Sequence, residues 1–149
     1  MTRQERFMIG WLRFLTLAFI VLGVLLANQP HYFFHYLDSI GLVFFNYNSQ
    51  PVEPHPFDLW WVLTFSLLIV LVTISFQAQR DWLRYSIFVP LLILAKGVSF
   101  IGFLFLTLTS PIHFFYIVGA AVDGFLFLTT LYFYAQAEKS RSFISPHSN

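Results

Sequence analysis

The fold is decided by residues 91–124, which read LLILAKGVSFIGFLFLTLTSPIHFFYIVGAAVDG. Two apolar runs flank the turn at Ser110-Pro111. Each run is long enough to cross about 30 Å of hydrocarbon as a helix that rises about 1.5 Å per residue. Because the connection between them is so short, we expect the two helices to be antiparallel neighbours.

Two ionisable residues of opposite charge stand inside these runs. Lys96 lies 14 residues before Ser110, and Asp123 lies 12 residues after Pro111, so their depths differ by only about 3 Å. A charged group at the bilayer centre costs about 2.5–3.5 kcal/mol on insertion scales and is normally paired. We therefore predict that Lys96 and Asp123 pair with each other near the midplane.

Helical spacing extends this candidate site along both spans. Residues three or four apart share one face of a helix. The faces that carry the two charges also carry Ser99, Phe100 and Thr107 on one span and Tyr116 and Thr130 on the other. Three roles remain open for this set: a lock that fixes helix rotation, a ligand or ion site, or a contact for a charged partner subunit.

The composition of the whole chain excludes a soluble globular domain. Its 149 residues are 58% apolar and only 10% charged, whereas soluble domains are about 45–50% apolar and about 25% charged. A net charge of +1 without a basic cluster excludes the basic surface that is typical of nucleic-acid-binding proteins. The absence of Cys excludes disulfides, thiolate metal sites and a Cys nucleophile.

Four apolar runs have the length of a membrane span, at about 8–27, 59–76, 85–108 and 112–135. In hydrocarbon the backbone must satisfy its own hydrogen bonds, so these spans are expected to be helices. The sequence predicts one all-α domain over 1–149, a four-helix transmembrane bundle with an outer loop at 28–58 and a polar tail at 136–149. In span number and loop length this architecture resembles small four-span bacterial membrane families such as the DoxX-like group; no motif accompanies the resemblance, and it implies no function.

The distribution of basic residues predicts the orientation. Seven of the eight Lys and Arg residues flank the spans on one side, and the segment 28–58 contains none. The positive-inside rule therefore places both termini in the cytoplasm, in a bacterial-type inner (plasma) membrane. The seven are Arg3, Arg6, Arg13, Arg80, Arg84, Lys139 and Arg141.

The outer loop predicts an amphipathic helix that begins at Pro30, a residue suited to the first helical position. Polar residues recur along one face and aromatic residues along the other, as in a helix that lies in the membrane interface. The polar residues also suggest a site for Zn²⁺ or another divalent metal, since imidazole and carboxylate are its usual ligands. The candidate ligands are His31, His35, Asp38, Glu53, His55 and Asp58. Alternatively, these side chains only face water and headgroups.

No motif in the chain indicates an enzyme. Neither a Gly-rich phosphate loop nor a G-x-S-x-G or H-E-x-x-H pattern is present. We therefore expect a non-catalytic protein that binds a membrane lipid or other apolar or amphiphilic molecule, or a partner transmembrane helix, around Lys96 and Asp123, as a monomer or homo-oligomer. The alternatives are a proton- or ion-coupled small transporter that works as an oligomer, and a membrane metalloenzyme with an outer-face His/Asp site.

Overall fold

The protein is described here from a computed structural model, which covers residues 2–28, 30–47, 59–109 and 113–142. Within these ranges the chain is helical and contains no strand, so the predicted all-α class is confirmed. The elements, in chain order, are α1 (Arg3–Asn28), α2 (Pro30–Phe45), α3 (Leu59–Arg80), α4 (Trp82–Tyr85), a 3-10 turn (Ser86–Phe88), α5 (Val89–Thr109) and α6 (Phe114–Ser142).

Four helical stretches are long and apolar enough to cross a membrane, as the sequence predicts. They are Arg3–Ala27, Val62–Arg80, Ser86–Thr109 and Phe114–Ser140. The last one runs into the segment 136–149 that the sequence predicts as a polar tail, and α6 ends only at Ser142. Good helix formers explain the extension, and Ala137 within it is buried at 1% exposure.

The third span, Ser86–Thr109, opens with a 3-10 turn, and its α-helix begins only at Val89. The Asp81 side chain caps α4 by accepting the backbone N–H of Arg84 at 3.2 Å, and a 3-10 turn follows before α5 begins at Val89. Pro90 therefore lies in the first turn of α5. At that position its missing N–H removes no helical hydrogen bond.

The four long helices form a bundle around an apolar core. Helix α1 packs against α3 and α6, α6 packs along α5, and α5 contacts α3. The core between them is made of buried aliphatic and aromatic side chains contributed by all four helices. The outward faces are apolar as well, since Leu17, Ile69, Ile101 and Leu128 are each more than 60% exposed.

The start of α1 and the end of α6 meet at the same end of the bundle. Thr2 and Glu5 form a capping box: Glu5 Oε2 accepts the Thr2 backbone N–H at 2.6 Å, and Thr2 Oγ1 accepts the Glu5 backbone N–H at 3.2 Å. Thr2 Oγ1 also lies 3.0 Å from the Ser140 hydroxyl on α6. The two ends of the described chain therefore lie at the same end of the bundle.

Helix α2 lies against the other end of the bundle, in contact with α1 and the start of α6. It ends at Phe45, and Asn46 follows with a left-handed φ of 51°. The Tyr47 backbone N–H donates to the Gly41 carbonyl, six residues earlier, at 3.1 Å. This end fixes how the chain leaves α2.

Candidate functional site

The centre of the bundle contains the ion pair between Lys96 and Asp123. Lys96 Nζ donates to Asp123 Oδ1 at 2.8 Å, and the two residues are only 8% and 7% exposed. The other carboxylate oxygen, Oδ2, accepts a hydrogen bond from the Ser99 hydroxyl. Lys96 and Ser99 both reach Asp123 because residues three apart share a helix face. The cluster ties α5 to α6.

Helix α1 completes this cluster with Phe19, which sequence reasoning missed. Lys96 Nζ lies 4.9 Å from the centroid of the Phe19 ring, within the range of a cation–π contact. Phe19 is itself 2% exposed. No sequence signal identifies the face of α1 that meets α5, so Phe19 could only be found from the fold.

Glycine allows α5 and α6 to approach closely on both sides of the ion pair. A Cβ at Gly124 would lie 2.9 Å from the Phe100 ring, and one at Gly97 would lie 3.2 Å from the Phe127 ring. These rings pack into the space that a side chain would otherwise occupy, as expected of a close-packed interior. A ligand around Lys96 and Asp123, as the sequence predicts, would need such rings to move.

Two other predicted site residues make contacts elsewhere. Thr130 Oγ1 accepts a hydrogen bond from Trp11 Nε1 at 2.9 Å and donates to its own-helix Leu126 carbonyl at 2.6 Å. Thr107 donates to its own-helix Phe103 carbonyl at 2.8 Å. The structure therefore joins Ser99 to the ion pair and packs the Phe100 ring against Gly124, next to Asp123, whereas Thr130 links α6 to α1.

A second polar cluster joins α2 to the start of α6. Asp38 Oδ1 accepts the Phe115 backbone N–H at 3.3 Å, and Asp38 Oδ2 lies 3.2 Å from His113 Nδ1. The first N–H groups of a helix lack intrahelical partners and favour negative charge, so Asp38 caps α6 from another helix. The predicted site residue Tyr116 lies here as well, with its ring 5.6 Å from that of His113.

The candidate metal ligands do not meet in the part of the chain that the structure describes. His35 is exposed, whereas Asp38 is buried against α6. No group of three or more His, Asp or Glu side chains that could hold a metal occurs among the described residues. Glu53, His55, Asp58 and the side chain of His31 lie outside them, and the metal set stays a prediction.

A groove of about 410 Å³ lies between the last turns of α1 and one face of α2. Its lining surface is almost wholly apolar, although two tyrosines and a histidine contribute to it. Tyr32 and Tyr36 are 72% and 67% exposed, and the Ser39 hydroxyl donates to the His35 carbonyl at 2.8 Å. The lining residues are Leu25, Tyr32, Phe33, His35, Tyr36 and Ser39.

No protein-family model matches the chain, and no curated protein or solved structure matches it. Its function must therefore be inferred from the geometry of its own residues.

The contact of Ser99 with Asp123 leads to a first prediction. We expect Ser99→Ala to lower the free energy of unfolding by about 1–2 kcal/mol, because a hydrogen bond to a charged group is lost in the interior. Thr107→Ala is the matched control on the same helix, since that hydroxyl bonds only its own-helix carbonyl, and it should change stability by less than about 0.5 kcal/mol. Unfolding in mixed detergent micelles, followed by Trp fluorescence, measures both variants. Equal losses would show that the Ser99 bond contributes nothing specific.

Proposed function

We propose that the chain is an integral membrane protein whose α1, α3, α5 and α6 cross the bilayer. The length and apolarity of these helices support this, as do the apolar side chains exposed on all four outward faces. Apolar surface of this extent is unfavourable in water and suits lipid. The two charges inside the bundle are paired with each other, as membrane burial requires.

The basic residues support an orientation with both termini in the cytoplasm of a bacterial-type inner membrane. Arg3 and Lys139 lie near the bundle end at which Thr2 contacts Ser140, and this end would face the cytoplasm under the positive-inside rule. Helix α2 would then lie at the outer interface. Its exposed Val43, Phe44 and Phe45 would dip between lipid headgroups.

We assign this membrane protein a non-catalytic role, the binding of an amphiphilic molecule of the bilayer or of a partner transmembrane helix. The proposal rests on the observation that the charged groups at the centre of the bundle already have partners within the protein. Both oxygens of Asp123 are engaged, and Lys96 is packed between that carboxylate and the Phe19 ring. The pair therefore holds α1, α5 and α6 together. A ligand or partner helix would bind at the outer surface of the bundle rather than at its centre.

Native mass spectrometry of the protein released from lipid nanodiscs tests this role. We expect the folded protein to retain a bound amphiphile, or a second polypeptide, after the surrounding lipid has been removed. A spectrum that contains only the bare 17.4 kDa chain under conditions that keep it folded would contradict the proposal.

Two further measurements discriminate the alternative functions. A transporter would show pH-dependent flux in liposomes that Asp123→Asn abolishes, because the buried carboxylate is then the group that exchanges protons or ions. A metalloenzyme would carry a stoichiometric divalent metal, which elemental analysis of the purified protein detects. We expect neither signal from a binding protein whose buried charges serve as a lock.

A further inference from the structure

We propose that the exposed side of α1 binds one phospholipid with an anionic head, such as phosphatidylglycerol, whose phosphate lies between Arg6 and Arg13. This inference rests on the proposed function and names the binding site and the ligand class. The acyl chains of the lipid lie along the same side of α1. Three observations lead to this ligand: the depth of Arg13, the lack of a protein partner for either guanidinium, and the open surface at Gly10.

Arg13 lies within the first span, yet its side chain is exposed. It precedes Phe19, whose ring contacts Lys96 at the centre of the bundle, by six residues, or about 9 Å of helix. Because half of the hydrocarbon core measures about 15 Å, the Arg13 backbone lies about 6 Å inside the hydrocarbon boundary. Ionisable residues within a span normally face the bundle interior and pair there. An exposed arginine at this depth therefore indicates an anionic partner from outside the bundle.

Arg6 adds a second positive charge at the level of the headgroups. It lies two helical turns before Arg13 and thus on the same face of α1. The Cα–Cβ bond of a helical residue tilts towards the helix N-terminus, so the Arg13 side chain leaves the backbone in the direction of Arg6. The planar guanidinium group binds phosphate oxygens through paired hydrogen bonds. Two of these groups on one face therefore suit a phosphate head.

Neither guanidinium has a partner in the part of the chain that the structure describes. No carboxylate there lies within salt-bridge distance of Arg6 or Arg13. The acidic residue of α1, Glu5, is 5% exposed, and its carboxylate accepts the Thr2 backbone N–H. Anionic lipids of the cytoplasmic leaflet attract basic side chains at the membrane surface. The two unpaired charges therefore favour a lipid whose head carries a net negative charge.

The surface between the two arginines is open to a ligand. Gly10 lies one turn from each of them on the same face, and a Cβ built at Gly10 would meet no atom within 4 Å. A phosphate can therefore approach the backbone of α1 without displacing a side chain. Beyond Arg13 this face continues with Leu17 and Ile20, which are 62% and 46% exposed. Acyl chains can thus extend from the head into the hydrocarbon region along α1.

Photocrosslinking tests the site directly. The protein is placed in phosphatidylcholine nanodiscs that contain a small amount of either phosphatidylglycerol or phosphatidylcholine with the same diazirine-labelled chain, and crosslinked peptides are mapped by mass spectrometry. We expect phosphatidylglycerol to label residues 6–21 at least about tenfold more than phosphatidylcholine does, because the choline ammonium is repelled by the second guanidinium. Equal labelling by the two lipids would overturn the inference, as would displacement of the labelled lipid by inorganic phosphate.

A matched pair of glycine variants separates this site from the general lipid surface. Gly10 and Gly102 are both exposed, and a Cβ at either position would meet no atom within 4 Å. Gly10→Leu fills the space between the arginines without changing the charge, whereas Gly102→Leu adds the same side chain to α5. We expect Gly10→Leu to reduce the phosphatidylglycerol label on α1 about tenfold and Gly102→Leu to leave it unchanged. Equal labels in the two variants contradict the site.

A second pair of variants separates the site from a general attraction between charges. Arg13→Gln and Arg84→Gln each remove one positive charge, but Arg84 lies over the Tyr85 ring on α4, which packs on α3 and the 3-10 turn. We expect Arg13→Gln to lower the ratio of phosphatidylglycerol to phosphatidylcholine label about fivefold, and Arg84→Gln to change it less than about twofold. Equal reductions overturn the inference.

The outcome of this inference is separable from that of the proposed function. If native mass spectrometry finds a retained amphiphile but phosphatidylglycerol does not label α1 preferentially, this inference fails alone. If nothing is retained, the proposed function fails as well.

Discussion

Lys96→Met is expected to lower the free energy of unfolding by about 3–5 kcal/mol, because Asp123 is then left as an uncompensated charge inside the bundle. The residual hydrogen bond from Ser99 cannot neutralise a carboxylate. Asp123→Leu should cost a similar amount, since Lys96 would keep only the Phe19 ring beside it. Losses of this size are a large fraction of the about 5–15 kcal/mol by which most proteins are stable.

Unfolding in mixed micelles measures both losses, and the yield of monodisperse protein provides a second readout. Arg80→Met is the control, because it removes an exposed positive charge from the last turn of α3 and should change stability by no more than about 0.5 kcal/mol. If Lys96→Met were tolerated as well as Arg80→Met, the ion pair would not be what holds α5 and α6 to α1.

The second large effect is expected at Gly41, where α2 rests on the Phe114 side chain. A Cβ at this position would lie within 2.6 Å of the Phe114 Cβ and 2.8 Å of its Cδ1. Because the stem of a buried ring cannot rotate away, α2 must move. We expect Gly41→Ala to destabilise the protein by about 2–3 kcal/mol, in the range of other overpacking substitutions. Hydrogen exchange of the α2 amides should accelerate more than exchange in the four long helices.

A surface glycine provides the control for this effect. No atom lies within 4 Å of a Cβ built at Gly102, so Gly102→Ala should be neutral or stabilising by up to about 1 kcal/mol, as expected for a helix interior. Equal exchange in Gly41→Ala and Gly102→Ala would show that the close approach of α2 to α6 is unimportant.

The sequence predicts the helical class and the four apolar helices because both follow from local composition. It also predicts that α5 and α6 are neighbours and that Lys96 lies level with Asp123, since the short turn at Ser110-Pro111 fixes the register of one helix against the other. The ends of the helices could not be predicted as well from the sequence. The end of α6 depends on the burial of Ala137 and on its packing near the start of α1, which no local pattern reveals.

The remaining contacts of the candidate site could not be predicted, because they join helices that are distant in the sequence. Phe19 reaches Lys96 from α1, and Trp11 reaches Thr130 from the same helix. In the sequence, Asp38 belongs to the same polar face of α2 as His35. In the structure, its carboxylate instead accepts the backbone N–H of Phe115. A polar residue on an amphipathic helix can face water or cap a neighbouring helix, and only the position of that neighbour decides between the two.

A double-mutant cycle between positions 96 and 123 tests the central claim most directly. The free energies of unfolding of the native protein, Lys96→Met, Asp123→Leu and the double variant give the coupling between the two side chains. The double variant should be more stable than either single variant, with a coupling of at least about 2 kcal/mol, because two apolar side chains replace a buried ion pair without leaving a lone charge. Losses that add to within about 0.5 kcal/mol would contradict direct pairing of Lys96 with Asp123.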